Sequence, residues 1–141
     1  MEGRTLYIFT AAQAAAAVVL LWLVLSRAGT WDWQRFLGTV LMVAGIWGIA
    51  AARYELGKSF TIKAEARQLV TRGVYSKIRN PIYVFGAIMV AGVVLALHRP
   101  ILWLLFLAII VVQIIRARRE AQVLESAFGE AYREYRSKTW F

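Results

Sequence analysis

The chain contains no cysteine and a single histidine, His98, among its 141 residues. Without cysteine there are no disulfides, thiolate nucleophiles or zinc–sulfur sites. One histidine leaves a multi-histidine metal centre without ligands, so no metal site is expected. Charge is scarce as well: 18% of residues, divided into 17 Lys+Arg and 8 Asp+Glu for a net +9. None of the acidic residues falls inside a long apolar run. That argues against a small proton-coupled exporter, which needs a carboxylate within the membrane. There are two prolines, Pro81 and Pro100, each at the edge of an apolar run. No internal repeat, low-complexity stretch or flexible linker is visible. What the chain has in quantity is apolar side chains, 60% of the total. Soluble domains carry roughly 45–50%, and one small core cannot hide this excess. A membrane crossing takes about 20 residues, so four would leave roughly 60 outside. Those are too few and too scattered for a nucleotide-binding domain of βαβ type. The helices and their connecting segments must carry any chemistry.

Four apolar runs, at residues 5–25, 36–52, 82–97 and 101–115, predict an all-α integral membrane protein with four transmembrane helices, read as one domain over residues 1–141. Helices are the only open-chain solution in lipid, because backbone groups must be satisfied internally. His98-Arg99-Pro100 is a tight break, which makes the last two helices an antiparallel hairpin. The first run is read as a retained helix, since it is longer than a signal core and Ser26-Arg27-Ala28-Gly29 is a poor cleavage site. With four crossings, fourteen basic residues fall on one side and three (Arg27, Arg35 and Arg99) on the other. The positive-inside rule then puts both termini and the long middle segment in the cytoplasm, most simply across an inner membrane. Trp31, Trp33 and Trp103 flank the sparse side as an aromatic belt. The basic excess is thus topology and attraction to anionic lipid, and no nucleic-acid partner is expected. His98, in a turn on the far side, is read as non-catalytic. The small-residue rows Ala44/Gly48/Ala52 and Gly86/Ala87/Ala91 are read as helix-packing surfaces.

Two stretches on the basic side, residues 53–83 and 113–135, are richer in specific chemistry than topology requires. In the first, Gly73 predicts a turn of unusual φ or a close backbone approach. Pro81 suits the first turn of the third helix, and Asn80 before it is expected to accept from the free amides as an N-cap. Two tyrosines, an arginine and an asparagine around a helix start suit a capped interfacial loop; they also suit an anion or polar-cofactor site. In the second stretch the fourth helix is expected to continue as a cytoplasmic amphipathic helix. Ala117, Ala121, Leu124, Phe128, Ala131 and Tyr135 form its apolar stripe, with Arg118, Arg119, Gln122, Glu125, Arg133 and Arg136 opposite. Gln113, Arg116 and Glu120 sit together on the stripe's edge. They are either a snorkelling pair at the interface or an arginine and a glutamate pointing into a cavity shared with the middle segment.

At these stretches the chain resembles the isoprenylcysteine carboxyl methyltransferase and phospholipid methyltransferase superfamily of integral-membrane enzymes. Arg53-Tyr-Glu-Leu-Gly57 resembles R-x-x-L-G at a helix end. Leu69-Val-Thr-Arg-Gly-Val-Tyr75 followed by Arg79-Asn-Pro-Ile-Tyr83 resembles L-V-T-x-G-[PV]-Y…R-H-P-x-Y. Glu120-Ala-Gln-Val-Leu124 with Phe128-Gly-Glu-Ala-Tyr-Arg-Glu-Tyr135 resembles E-E-x-x-L…F-G-x-x-Y-x-x-Y. The resemblance implies S-adenosylmethionine as methyl donor, with S-adenosylhomocysteine as product, bound on the cytoplasmic side between the middle segment and the tail helix. It implies cofactor contacts from Gln68, Leu69 and Val70, largely through backbone, and from Tyr75, Asn80, Pro81, Ile82 and Glu120. Arg116 falls to the substrate side as the residue orienting the acceptor, and Tyr83 joins it as a candidate catalytic residue. Asn80 stands where the family has a histidine and cannot act as a base; Ala121 stands where many members have a second glutamate. The implied reaction moves a methyl group to an O, N or S atom of a lipophilic small molecule, a lipid or a lipidated acceptor. The rival readings are a catalytically inactive membrane protein of the same fold, serving lipid binding or interaction, and a small transporter.

Overall fold

The apolar runs are helical in the computed structural model, which describes residues 2–56 and 69–141. The helices are α1 (Glu2–Ser26), α2 (Trp33–Leu56), α3 (Pro81–Leu97), α4 (Leu102–Phe128) and α5 (Glu130–Lys138), with a 3₁₀ turn at Gly73–Ser76 before α3. The described residues form no strand; a single parallel bridge joins Ile78 to Trp140. The expected all-α architecture and the hairpin of α3 and α4 are therefore present. By length and composition one helix, Trp33–Leu56, suits a membrane crossing, and Thr10–Ser26 and Pro81–Leu97 are shorter apolar helices. In α4 the apolar part stops at Ile115, because Arg116, Arg118 and Arg119 follow within the same helix.

The helix ends are set locally. Asp32 caps α2: its Oδ1 accepts from the Arg35 backbone N–H at 2.8 Å. That hydrogen bond, aided by His98 Nε2 at 2.6 Å from Oδ2, holds the Asp32 carboxyl below its ordinary range. His98 ends α3 in the left-handed region at φ 55, and Pro100 follows, so the helix cannot continue. Arg35 lies buried at 3% exposure. It donates to the carbonyls of Val24, Leu25, Arg27 and Gly29, capping the end of α1. Its charge is met by the negative end of the helix dipole and by the Trp31 ring, 4.2 Å from the guanidinium carbon. Arg27 caps α3 in the same way, donating to Leu97 O at 3.0 Å.

The tightest packing joins α2 to α3. A Cβ on Gly38 would lie 2.5 Å from the Gly92 carbonyl oxygen, and one on Gly45 2.6 Å from the Met89 nitrogen. On Gly48 it would enter the Phe85 ring. The packing row of α2 is therefore Gly38, Gly45, Gly48 and Ala52. The expected Ala44 is exposed, because the seven-residue interval from Gly38 through Gly45 to Ala52 follows the crossing of α3. On α3 the matching row is Phe85, Met89 and Gly92, whereas Gly86 faces α4 instead, 3.6 Å from Gln113 Nε2 when given a Cβ. A small core of Val24, Met42 and Ala96 holds α1 to this pair. The outward faces stay apolar: Val18, Trp22, Trp47 and Leu104 are each more than 60% exposed. Trp31, Trp33 and Trp103 also point outward.

The tail departs from the continuous amphipathic helix. Gly129, at φ 52, ends α4 and turns the chain into α5. The turn resets the helical phase, so Ala131 is exposed while Tyr132 and Tyr135 are buried.

Candidate active site

The start of α3 is the centre on which the other elements converge. Pro81 is buried at the first helical position, where its missing N–H removes one amide that would need a partner. Asn80 occupies the N-cap position, but its side chain makes no capping bond. Its Nδ2 donates instead to the Phe141 carbonyl oxygen at 2.8 Å, and its backbone N–H donates to the same oxygen at 3.0 Å. The bridge to the chain's last residues draws this amide outward, so the expected cap is replaced by a tether.

On one side of this start, α4 presents Gln113, Arg116 and Glu120 one turn apart, and α3 presents Tyr83 and Gly86 to them. Tyr83 Oη donates to Glu120 Oε1 at 2.5 Å. The Arg116 guanidinium carbon lies 5.9 Å from the centre of the Tyr83 ring. The three misfits of the helical projection thus face α3, and the arginine and glutamate meet one phenol. Glu120 is half-buried and Arg116 exposed, an arrangement suited to a polar ligand entering from solvent.

Tyr75 stands beside this group, buried in the 3₁₀ turn. Burial raises its phenol above the ordinary range, and the nearby Tyr135 and Glu120 raise it further. It stays neutral at any physiological pH. Its backbone carbonyl accepts from Tyr135 Oη at 2.7 Å, so α5 fixes the turn. Gly73 is at φ 58, and a Cβ there would strike the Glu55 carboxylate; both properties expected of this glycine are present. Arg72 Nε stands 3.6 Å from Glu55 Oε2 and binds the segment to the end of α2. Arg53, on the last turn of α2, donates to Thr10 Oγ1 at 2.8 Å and to Gln13 Oε1. Leu69 and Val70 enter half-buried, Ile82 is half-buried on α3, and Gln68 lies outside the described residues.

On the other side of the α3 start, beyond Ala117, opens a cleft of about 540 Å³. Its walls include Arg79, Asn80, Arg118, Gln122, Glu125, Tyr132, Arg136 and Phe141, over a floor of Ile114, Ala117 and Ala121. Arg118, Gln122, Glu125 and Arg136 were expected on a solvated helix face. They frame a cleft because α5 folds back across α4 at Gly129, and that glycine was the one sequence signal for the turn. Ala121, where a second glutamate is usual in the resemblance, lies on this floor and not with Glu120.

A family model for phospholipid methyltransferases matches residues 33–131. That interval contains α2, α3, α4, the 3₁₀ turn and the Tyr83–Glu120 pair. No curated protein and no solved structure matches the chain.

Proposed function

Because the chain belongs to the phospholipid methyltransferase family, we propose that it is a membrane-embedded methyltransferase using S-adenosylmethionine and acting on an O, N or S atom of a lipophilic or amphipathic acceptor. The observation that carries this reading is the Tyr83–Glu120–Arg116 group at the start of α3. In the proposed topology α1 to α4 cross the membrane. Both termini and the site face the cytoplasm, in keeping with the basic residues gathered on that side and the apolar outward faces of the helices. The acceptor then enters laterally from lipid and the cofactor from the cytosol.

The residues present fit the cofactor. They offer a carboxylate, two neutral phenol rings and a guanidinium to a ligand that carries a sulfonium, an ammonium and a carboxylate. When bound, S-adenosylmethionine supplies a methyl group already activated on a positively charged sulfur. Glu120 accepts from Tyr83 through one oxygen. Among the described residues nothing engages its second oxygen, which is assigned to a ligand N–H or O–H. Gln68, Leu69, Val70, Tyr75, Asn80, Pro81 and Ile82 are assigned the remaining cofactor contacts. Arg116 is assigned a carboxylate or phosphate of the acceptor, because a guanidinium binds such groups in bidentate fashion. Proximity does most of the work, since bringing two reactants together in the right geometry contributes roughly 7–11 kcal/mol at best.

Calorimetry with S-adenosylhomocysteine on the purified protein tests the cofactor assignment. The wild type is expected to bind, and Glu120→Ala to bind about tenfold or more weakly, as for loss of a hydrogen-bonded charge of about 1.5–3 kcal/mol. Unchanged affinity in the variant removes Glu120 from the site. The second reading, a non-catalytic protein of the same fold, draws on Asn80, whose side chain is committed to Phe141. Cofactor binding without transfer of a labelled methyl group to membrane lipids, phenols, amines or thiols would favour it.

A further inference from the structure

Asn80 is assigned to the cofactor, yet its backbone N–H and its side-chain amide both donate to the chain's own tail. They converge on the Phe141 carbonyl oxygen, at 3.0 and 2.8 Å. Two more backbone hydrogen bonds lie alongside. Arg79 N–H donates to Trp140 O at 3.0 Å, and Trp140 N–H donates to Lys77 O at 2.8 Å. Trp140 runs parallel to Ile78, so the residues after α5 form a strap across the start of α3. Phe141 also belongs to the wall of the cleft that Asn80 lines.

The strap is held by polar contacts and by little apolar burial. The Trp140 side chain is 65% exposed, and Phe141 is only half-buried. A backbone hydrogen bond near solvent replaces one made to water, so each adds little net stability. Phe141 lies in the left-handed region at φ 34, a conformation unfavourable to a residue with a Cβ. α5 keeps anchors of its own, Tyr135 Oη on the Tyr75 carbonyl oxygen and Arg133 on Glu125. The strap can therefore leave without unfolding the helix before it. Thr139, extended at the end of α5, is the hinge.

Two N–H donors aimed at one oxygen are also what Asn80 offers to a carboxylate or hydroxyl oxygen of a ligand. We propose that the Phe141 carbonyl oxygen holds the place of a cofactor oxygen at Asn80, and that the strap is an autoinhibitory gate which must swing away before S-adenosylmethionine binds. The inference rests on the cofactor assignment proposed above and adds its regulation. Strap and cofactor compete for the same donors, so whatever holds the strap closed weakens cofactor binding. The apparent affinity falls in proportion to the fraction of molecules whose strap is open.

The test is calorimetry with S-adenosylhomocysteine on the purified wild type and on two variants. Deleting Trp140 and Phe141 leaves α5 and its anchors in place. It is expected to tighten binding about tenfold, as for a gate open about one-tenth of the time. The opposite variant is a lock. Ile78 and Trp140 are bridge partners and the chain has no cysteine, so Ile78→Cys combined with Trp140→Cys forms a single disulfide on oxidation. The oxidised protein is expected to bind about tenfold or more weakly than the same preparation after reduction. Hydrogen exchange adds a readout of the strap itself. The Trp140 amide, bonded to Lys77 in the free wild type, should exchange faster once S-adenosylhomocysteine is bound. Equal affinity of the wild type and the deletion overturns the proposal, as does an oxidised lock that binds like its reduced form. If no form of the protein binds S-adenosylhomocysteine, the cofactor reading falls and the gate falls with it. Binding that is indifferent to both deletion and lock removes the gate alone.

Discussion

Arg35 and Glu120 are both charged side chains on helices next to apolar surface, yet their surroundings give them opposite uses. Arg35 is buried and its guanidinium donates to backbone carbonyls at and just after the end of α1, which makes it a structural cap. Replacing it by methionine leaves those carbonyls without donors, and a loss of about 2–4 kcal/mol is expected. Unfolding of Arg35→Met in detergent micelles measures this; a change below about 1 kcal/mol would show that water replaces the guanidinium. Glu120 keeps partial exposure and, among the described residues, a single donor, Tyr83, which suits the ligand-binding role proposed for it. The sequence singled out Glu120 because it was out of place on an amphipathic projection. It had no comparable signal for Arg35, which reads as one more interfacial charge until the fold of the α1–α2 turn brings the carbonyls to it.

Among the elements, α5 is positioned by the turn at Gly129 and by polar contacts. They are the hydrogen bond from Tyr135 to the Tyr75 carbonyl, the one from Arg79 to the Arg136 carbonyl and the Arg133–Glu125 ion pair. A side chain at φ 52 is strained by about 1–2 kcal/mol, so Gly129→Ala is expected to loosen α5 while leaving α1 to α4 helical. Faster proteolysis after Phe128, with helix content nearly unchanged by circular dichroism, is the expected result. Burial, with Tyr132 beside it, raises the Tyr135 phenol from 10.0 to about 12. A folded-state value above the unfolded one gives stability that is complete below pH 10 and lost as pH rises towards 12. Ionisation also removes the proton that Tyr135 donates. Alkaline titration should therefore release α5 above pH 10, with a change in Trp140 fluorescence that Tyr135→Phe shifts or abolishes. The phase of this helix was misread in the sequence because a 3.6-residue projection assumes one axis, and Gly129 starts a second.

At the scale of the whole molecule the question is which faces meet lipid and which meet water. The absence of native cysteine makes single-cysteine labelling a clean measurement. Ser137→Cys is expected to react with a membrane-impermeant maleimide only from the cytoplasmic side, and Arg99→Cys only from the opposite side. Labelling of both from one side would reject the four-crossing topology and with it the cytoplasmic assignment of the site. The same geometry brings chemistry from separate parts of the chain to one end of the bundle. Tyr83 and Glu120 meet across α3 and α4, while Tyr75 and Tyr135 join the 3₁₀ turn to the tail.

By itself, the order of side chains determined where the chain is helical, where α3 begins and ends, and that its polar chemistry lies in two segments. These are local matters: apolar run length, a proline that suits a first turn, and glycines at positive φ act over a few residues. The motif spacing was also enough to place the chain in its family. Tertiary structure decided what local rules cannot reach. It turned Asn80 from a cap into a tether, buried Arg35, chose Gly45 over Ala44 as the packing position, and folded a solvated-looking row of arginines around a cleft. Each depends on which distant backbone or helix face arrives opposite, and that is set by packing between helices, not by the pattern within one.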